Sequence, residues 1–124
     1  MEVIKNNISK IKNTLINLKE KGAKIIGYGA SAKFTQVTNM SEIDNTIIDF
    51  VMDTTPSKQN KYLPKSNIKV LPYNKELLKK ADYCFLGAWN YKDEIMNKEI
   101  DFLKKGGKFI THIPTIKIYD INNR

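Results

Sequence analysis

Gly27-Tyr28-Gly29-Ala30-Ser31-Ala32-Lys33 stands between an apolar run and an amphipathic one, and few backbones accommodate that order. A strand that turns sharply into a helix needs residues without a β-carbon at the turn. The spacing G-x-G-x-x-A supplies two glycines and a small third residue where helix and strand come close. Lys24 to Tyr28 reads as the strand and Ser31 to Asn39 as the helix. A helix so placed aims free N–H groups and the positive end of its dipole at the turn, where an anion is stabilised. Ser31 and Lys33 add a hydroxyl and a cation there. Each also has a plainer role open to it: helix N-cap for Ser31, surface ammonium for Lys33.

The alternation continues along the chain. Ile4, Ile8, Ile11, Leu15 and Leu18 recur at spacings of four and three, on one face of a helix over residues 3 to 21 that Gly22 ends. That face packs on the domain's own sheet or meets a partner. Asn45 to Asp53 predicts a second strand, and its last residue is the acid that this kind of turn needs about 20 residues on, where it accepts a ribose hydroxyl. Thr54 to Asn67, with Pro56 and Pro64, predicts a long surface loop. Lys69 to Leu71 predicts a short strand and Lys75 to Lys80 a short helix. Asp82 to Trp89 predicts a strand buried on both faces. Asp93 to Lys105 predicts a helix with Ile95, Ile100 and Leu103 inward, stopped by Gly106-Gly107, and Lys108 to Ile113 a closing strand. No structure is assigned to the tail after Pro114. The sum is an α/β, Rossmann-like three-layer sandwich with a mostly parallel sheet of about five strands and a leading N-terminal helix, one domain over residues 1–124.

Composition narrows the function. One cysteine, Cys84, and one histidine, His112, leave no ligand set for zinc, so no metal is expected, and Cys84 reads as core filler. The absence of a long apolar stretch or a leader-like N-terminus predicts a cytoplasmic protein with no membrane partner. Twenty-one basic residues against 13 acidic ones give a net charge of +8, which suggests nucleic acid. The lysines are scattered, however, and Arg124 is the one arginine, which argues against that partner. Trp89 reads either as a stacking platform or as a core aromatic. His112, at a strand end, reads either as structural or as an acid–base group without an identified partner. The glycine fingerprint alone also fits a small NAD(P)-binding oxidoreductase, though no Tyr-x-x-x-Lys pair accompanies it.

Several segments together carry a resemblance. Gly27 to Lys33, Ile48 to Asp53, Pro56 with Lys58-Gln59, Tyr62 and Pro64, Ala88-Trp89-Asn90-Tyr91 with Glu94-Ile95, and Gly106 to Ile110 before Ile113-Pro114 resemble the C-terminal domain of the sugar C-methyltransferases. Those enzymes methylate a ring carbon of a nucleotide-linked keto-deoxysugar. Members carry a cysteine-rich zinc region, then an S-adenosylmethionine domain with the catalytic base, then this domain. The resemblance therefore implies a nucleotide-diphosphate-sugar-binding module that is not catalytic alone. S-adenosylmethionine would bind a separate domain or chain, and the module would act with a separate methyltransferase chain or as a homodimer. It also implies that Gly27, Tyr28, Gly29, Ala30, Ser31 and Lys33 face the diphosphate or sugar, with Asp53, Lys58, Gln59, Trp89 and Asn90 along the same sheet edge. Three residues depart from the family pattern: Asn60 and Lys65 stand where glycines are expected, and Phe34 where a small residue is usual.

Overall fold

The computed structural model describes residues 2–113 and 115–124; Met1, Pro114 and the side chains of residues 2–7, Ile4 among them, lie outside the described residues. Among the described residues five helices, α1 (Glu2–Glu20), α2 (Ala32–Met40), α3 (Lys75–Lys79), α4 (Lys92–Lys98) and α5 (Ile100–Lys104), accompany six strands. These are β1 (Ile25–Tyr28), β2 (Val51–Asp53), β3 (Val70–Pro72), β4 (Tyr83–Leu86), β5 (Lys108–Thr111) and β6 (Lys117–Tyr119). The sheet order is β3-β2-β1-β4-β5-β6, parallel throughout except that β6 runs antiparallel to β5. The chain starts in the middle at β1, works outward to β3, then returns to β4 on the other side. This reversal opens a crevice outside the carboxyl ends of β1 and β4, where Rossmann-like sheets take their ligands.

Alternation along the strands builds two cores. Ile25, Val51, Phe85 and Ile110 meet Ile11 and Leu15 of α1 and Phe34 and Val37 of α2. Their neighbours Ile26, Met52, Cys84 and Phe109 meet Leu78 of α3, Met96 of α4 and Phe102 and Leu103 of α5. From Ile11 to Leu18 the apolar face of α1 thus packs on the domain's own sheet, and Cys84 is core.

Four expectations need correction. The sheet has six strands rather than about five, because the tail pairs Phe109 with Tyr119 and Thr111 with Lys117; three residues are too few to show a period. The second strand is only Val51–Asp53. Before it, Asp44 accepts the amides of Ile47 and Ile48 through its carbonyl and that of Thr46 through its carboxylate, so a turn delivers Ile47 and Ile48 to the core. The last helix breaks at Glu99 (φ −102°, ψ 35°), where the chain turns a carboxylate inward. The strands expected at Asp82–Trp89 and Lys108–Ile113 end at Leu86 and Thr111, which leaves Trp89 and His112 in the connections.

The loop after β2 is more ordered than its composition suggests. A 3₁₀ turn at Pro56–Lys58 leads into a segment that folds back on β3, with Asn60 donating to the Val70 carbonyl at 2.7 Å and Val70 to the Lys61 carbonyl at 2.8 Å. An antiparallel bridge between Tyr62 and Lys69 follows, so the outer edge of β3 is covered. Asn60 (φ 63°) and Lys65 (φ 72°) both hold left-handed backbone, which accounts for the glycines expected there.

The glycine turn and the crevice around it

The turn is braced from β2. Gly29, at φ 85°, donates its amide to the Met52 carbonyl at 2.8 Å. Ala30 donates its amide to Asp53 Oδ2 at 2.7 Å, while Asp53 Oδ1 accepts from the Thr55 amide at 2.7 Å. Gln59 Nε2 donates to the Asp53 carbonyl at 2.9 Å, and Lys58 Nζ to the Ala30 carbonyl at 3.2 Å. Asp53, Lys58 and Gln59 therefore act first as the frame of the turn. Partial burial works to raise the Asp53 carboxyl, but the bonds from Thr55 and Ala30 and the nearby Lys58 ammonium outweigh it and hold it below the usual carboxylate range. Each Asp53 oxygen keeps a lone pair for a further donor.

Past Ala30 the turn opens. Ser31 is the N-cap of α2, its Oγ accepting from the Phe34 amide at 3.2 Å and its carbonyl from the Thr35 amide at 3.0 Å. The amides of Ala32 and Lys33 meet no acceptor among the described residues, and both residues are exposed. These two donors and the dipole of α2 form the anion-accepting end of the turn.

The crevice divides into hollows on either side of this opening. On the side of α4, a cavity of about 440 Å³ is lined by Tyr28, Gly29, Asp53, Tyr73, Tyr91 and Ile95, among others. On the side of α1 and α2, a second of about 380 Å³ is lined by Lys33, Val37, Met40, Trp89, His112 and Ile113, among others. A smaller hollow of about 220 Å³ lies against Ala30, Lys58 and Tyr62. Tyr28, Gly29 and Asp53 thus share one cavity, and Lys33 and Trp89 another. Lys33 Nζ donates to Asn90 Oδ1 at 3.1 Å and stands 5.5 Å from the Trp89 ring centroid. Trp89 is 36% exposed, so it is a wall of the second cavity and not a core aromatic.

His112 is anchored in the core at the edge of the second cavity. It is buried, its ring stacks on Phe85 at 5.8 Å and 12°, and its Nε2 lies 3.4 Å from the Gly87 carbonyl. Burial pushes its pKa down; the Gly87 carbonyl opposes this and the Lys33 charge adds to it.

A group that sequence reasoning missed underlies the first cavity. Glu99, 2% exposed, accepts from the Tyr28 hydroxyl at 2.6 Å and from the Tyr73 hydroxyl at 2.7 Å on the same oxygen, Oε2. Burial, then the hydrogen bond to Glu99, pushes both phenols well above their ordinary value. The signal was present: Glu99 falls four residues after Ile95 and four before Leu103, on the inward face of the helix predicted over Asp93 to Lys105. No cluster of three His, Cys, Asp or Glu side chains suited to a metal occurs among the described residues. Nor is any described helix long and apolar enough to cross a membrane.

Sheet order, switch-point crevice and glycine turn define an α/β domain of the Rossmann-like class. Residues 2–114 match the family described as the C-methyltransferase C-terminal domain, and the chain belongs to that family. It is similar to the C-methyltransferase NovU of Streptomyces niveus, with 37% identity over 97 residues, covering 78% of this chain. The match spans 23% of that relative's length, less than a quarter.

Proposed function

We propose that this domain binds the nucleotide-diphosphate sugar of a sugar C-methyltransferase system and is not catalytic alone. The observation that carries the reading is the open mouth of α2, where the Ala32 and Lys33 amides and the Lys33 ammonium face the crevice without a protein anion. Gly29 leaves room beside them, because a β-carbon built on it meets nothing within 4 Å. A diphosphate supplies the missing acceptors. S-adenosylmethionine is held by another domain or chain, and the work is done in the cytoplasm with a separate methyltransferase chain or a second copy as partner. Nucleic acid is not the partner, since the lysines do not gather on one element.

Isothermal calorimetry with thymidine and uridine diphosphate-sugars tests this. Saturable heat is expected, and no heat at millimolar ligand overturns it. The same fingerprint fits a dinucleotide, so a fluorescence change of NADH on mixing, with no response to diphosphate-sugars, would favour an oxidoreductase-type protein instead.

A further inference from the structure

The Tyr28 and Trp89 cavities flank the glycine turn, and a ligand whose phosphates sit at α2 sends its nucleoside into one or the other. Four observations separate them. Asp53, the acid of the turn, lines the Tyr28 cavity, as does Gly29, so a sugar ring bridging phosphate and base continues into that side. Tyr28 and Tyr73 meet there at 6.1 Å and 78°, an aromatic corner. Their hydroxyls are both spent on Glu99 beneath, which fixes the rings that line the cavity, and Lys98 Nζ at its wall stands 4.6 Å from the Tyr73 ring centroid. In the other cavity, the cation nearest Trp89 is Lys33, already bonded to Asn90.

We propose that the Tyr28–Tyr73–Ile95 cavity is the nucleoside site: the base stacks on the aromatic corner, the ribose reaches Asp53, and Glu99 is a positioning residue that holds the two rings. This rests on the nucleotide-sugar reading above and adds the side of the turn on which the base lies. A volume of 440 Å³ falls within the range of about 300–1,000 Å³ usual for small-molecule sites. Base-on-aromatic stacking tolerates any base, so the cavity selects for a nucleoside as a class and leaves discrimination among bases to Thr54, Glu94 and Lys98 at its walls.

The test uses the full chain with thymidine diphosphate and uridine diphosphate as probes, followed by calorimetry and by methyl NMR. In the unsubstituted protein the Met52 and Ile95 methyls are expected to shift on binding, while those of Met40 and Ile113 stay in place. Ile95→Trp, which fills the cavity, is expected to weaken binding by about tenfold or more. Trp89→Ala is expected to change it by less than about twofold. Glu99→Gln is expected to weaken nucleoside diphosphate binding while leaving inorganic pyrophosphate binding unchanged, a split that a purely structural role would not give. Shifts confined to Met40 and Ile113, or binding that survives Ile95→Trp and fails with Trp89→Ala, overturn the assignment of the cavity but leave the nucleotide reading standing. No response of any methyl or any heat with either diphosphate overturns both.

Discussion

Gly87 lies so close to Phe34 that a β-carbon built on it would stand 2.5 Å from the Phe34 Cβ and 2.6 Å from its amide nitrogen. Gly27, across the same ring, would put its β-carbon 2.6 Å from the Phe34 Cε2 and 2.9 Å from a Val51 methyl. Two glycines of the crevice thus serve the seating of α2 on the sheet, and only Gly29 serves the turn itself. Gly87→Ala pushes on backbone and is expected to cost about 3 kcal/mol, as overpacking of a tight core does. Gly29→Ala, strained only in φ, is expected to cost about 1–2 kcal/mol. Urea unfolding of the two variants measures the order, and equal losses would refute it.

Phe34 also predicts a coupling. The clash at Gly27 is with the far edge of the ring, which a shorter side chain does not reach. Gly27→Ala combined with Phe34→Leu is therefore expected to lose less stability than the sum of the single variants, by about 1 kcal/mol. Strict additivity in a double-mutant cycle would show that the ring does not fill the space above Gly27.

Much of the architecture was legible because it rests on local rules. The glycine turn, the capped helix after it and the apolar strand at residues 83–86 each declare themselves within a few residues. What was not legible depends on distant partners. Val51–Asp53 is a strand only where β1 and β3 flank it, and β6 exists only because β5 offers an edge. The candidate site divides in the same way. Ser31 and Asp53 could be placed by spacing, whereas Tyr73 and Glu99, 26 residues apart, come together only through the fold. Trp89 and Tyr28 looked like members of one site, and the structure puts them on opposite sides of α2's mouth because β4 ends at Leu86.

Lys65 is the residue whose backbone least suits it. Its φ of 72° costs a lysine what a glycine avoids, and the side chain is exposed. Lys65→Gly is expected to raise stability by about 0.5–1 kcal/mol, read as a higher urea midpoint with an unchanged slope. Asn60→Gly, where asparagine already tolerates the left-handed region, is expected to change little. A loss at residue 65 would mean that the Lys65 stem contributes packing that outweighs its strain.

Acid sensitivity has two sources with the same sign. Asp53 titrates below the usual carboxylate range, so its contribution is complete above the unfolded value of about 3.9 and is lost as pH falls through the lower folded value. His112 is depressed by burial, so its contribution is complete above about 6.5 and falls away as pH drops through its folded pKa. Stability is therefore expected to fall in two stages on acidification. His112→Phe removes the upper stage, keeping the stacking on Phe85, and Asp53→Asn weakens the lower one. Asp53→Asn also costs about 1–3 kcal/mol at neutral pH, since its amide presents a donor to one of the amides of Ala30 and Thr55. Melting curves across pH check the assignment, and an upper stage that persists in His112→Phe would overturn it.

Alkali probes the buried carboxylate. Tyr28 and Tyr73 are raised by burial and by Glu99, so both stay protonated when exposed tyrosines ionise near pH 10. The stability that these neutral phenols contribute is complete below about pH 10 and is lost only as pH rises through their folded values. Absorbance at the tyrosinate band is expected to show two of the six tyrosines silent until the protein unfolds. Glu99→Gln removes the charge and keeps an acceptor, so it is expected to let these two ionise earlier at a cost of about 1–3 kcal/mol. Glu99→Leu leaves both hydroxyls without their shared acceptor and is expected to cost about 2–4 kcal/mol, since two partly buried donors are left unsatisfied. A native protein in which all six phenols titrate together would mean that Glu99 does not hold Tyr28 and Tyr73, and the aromatic corner would then have no anchor.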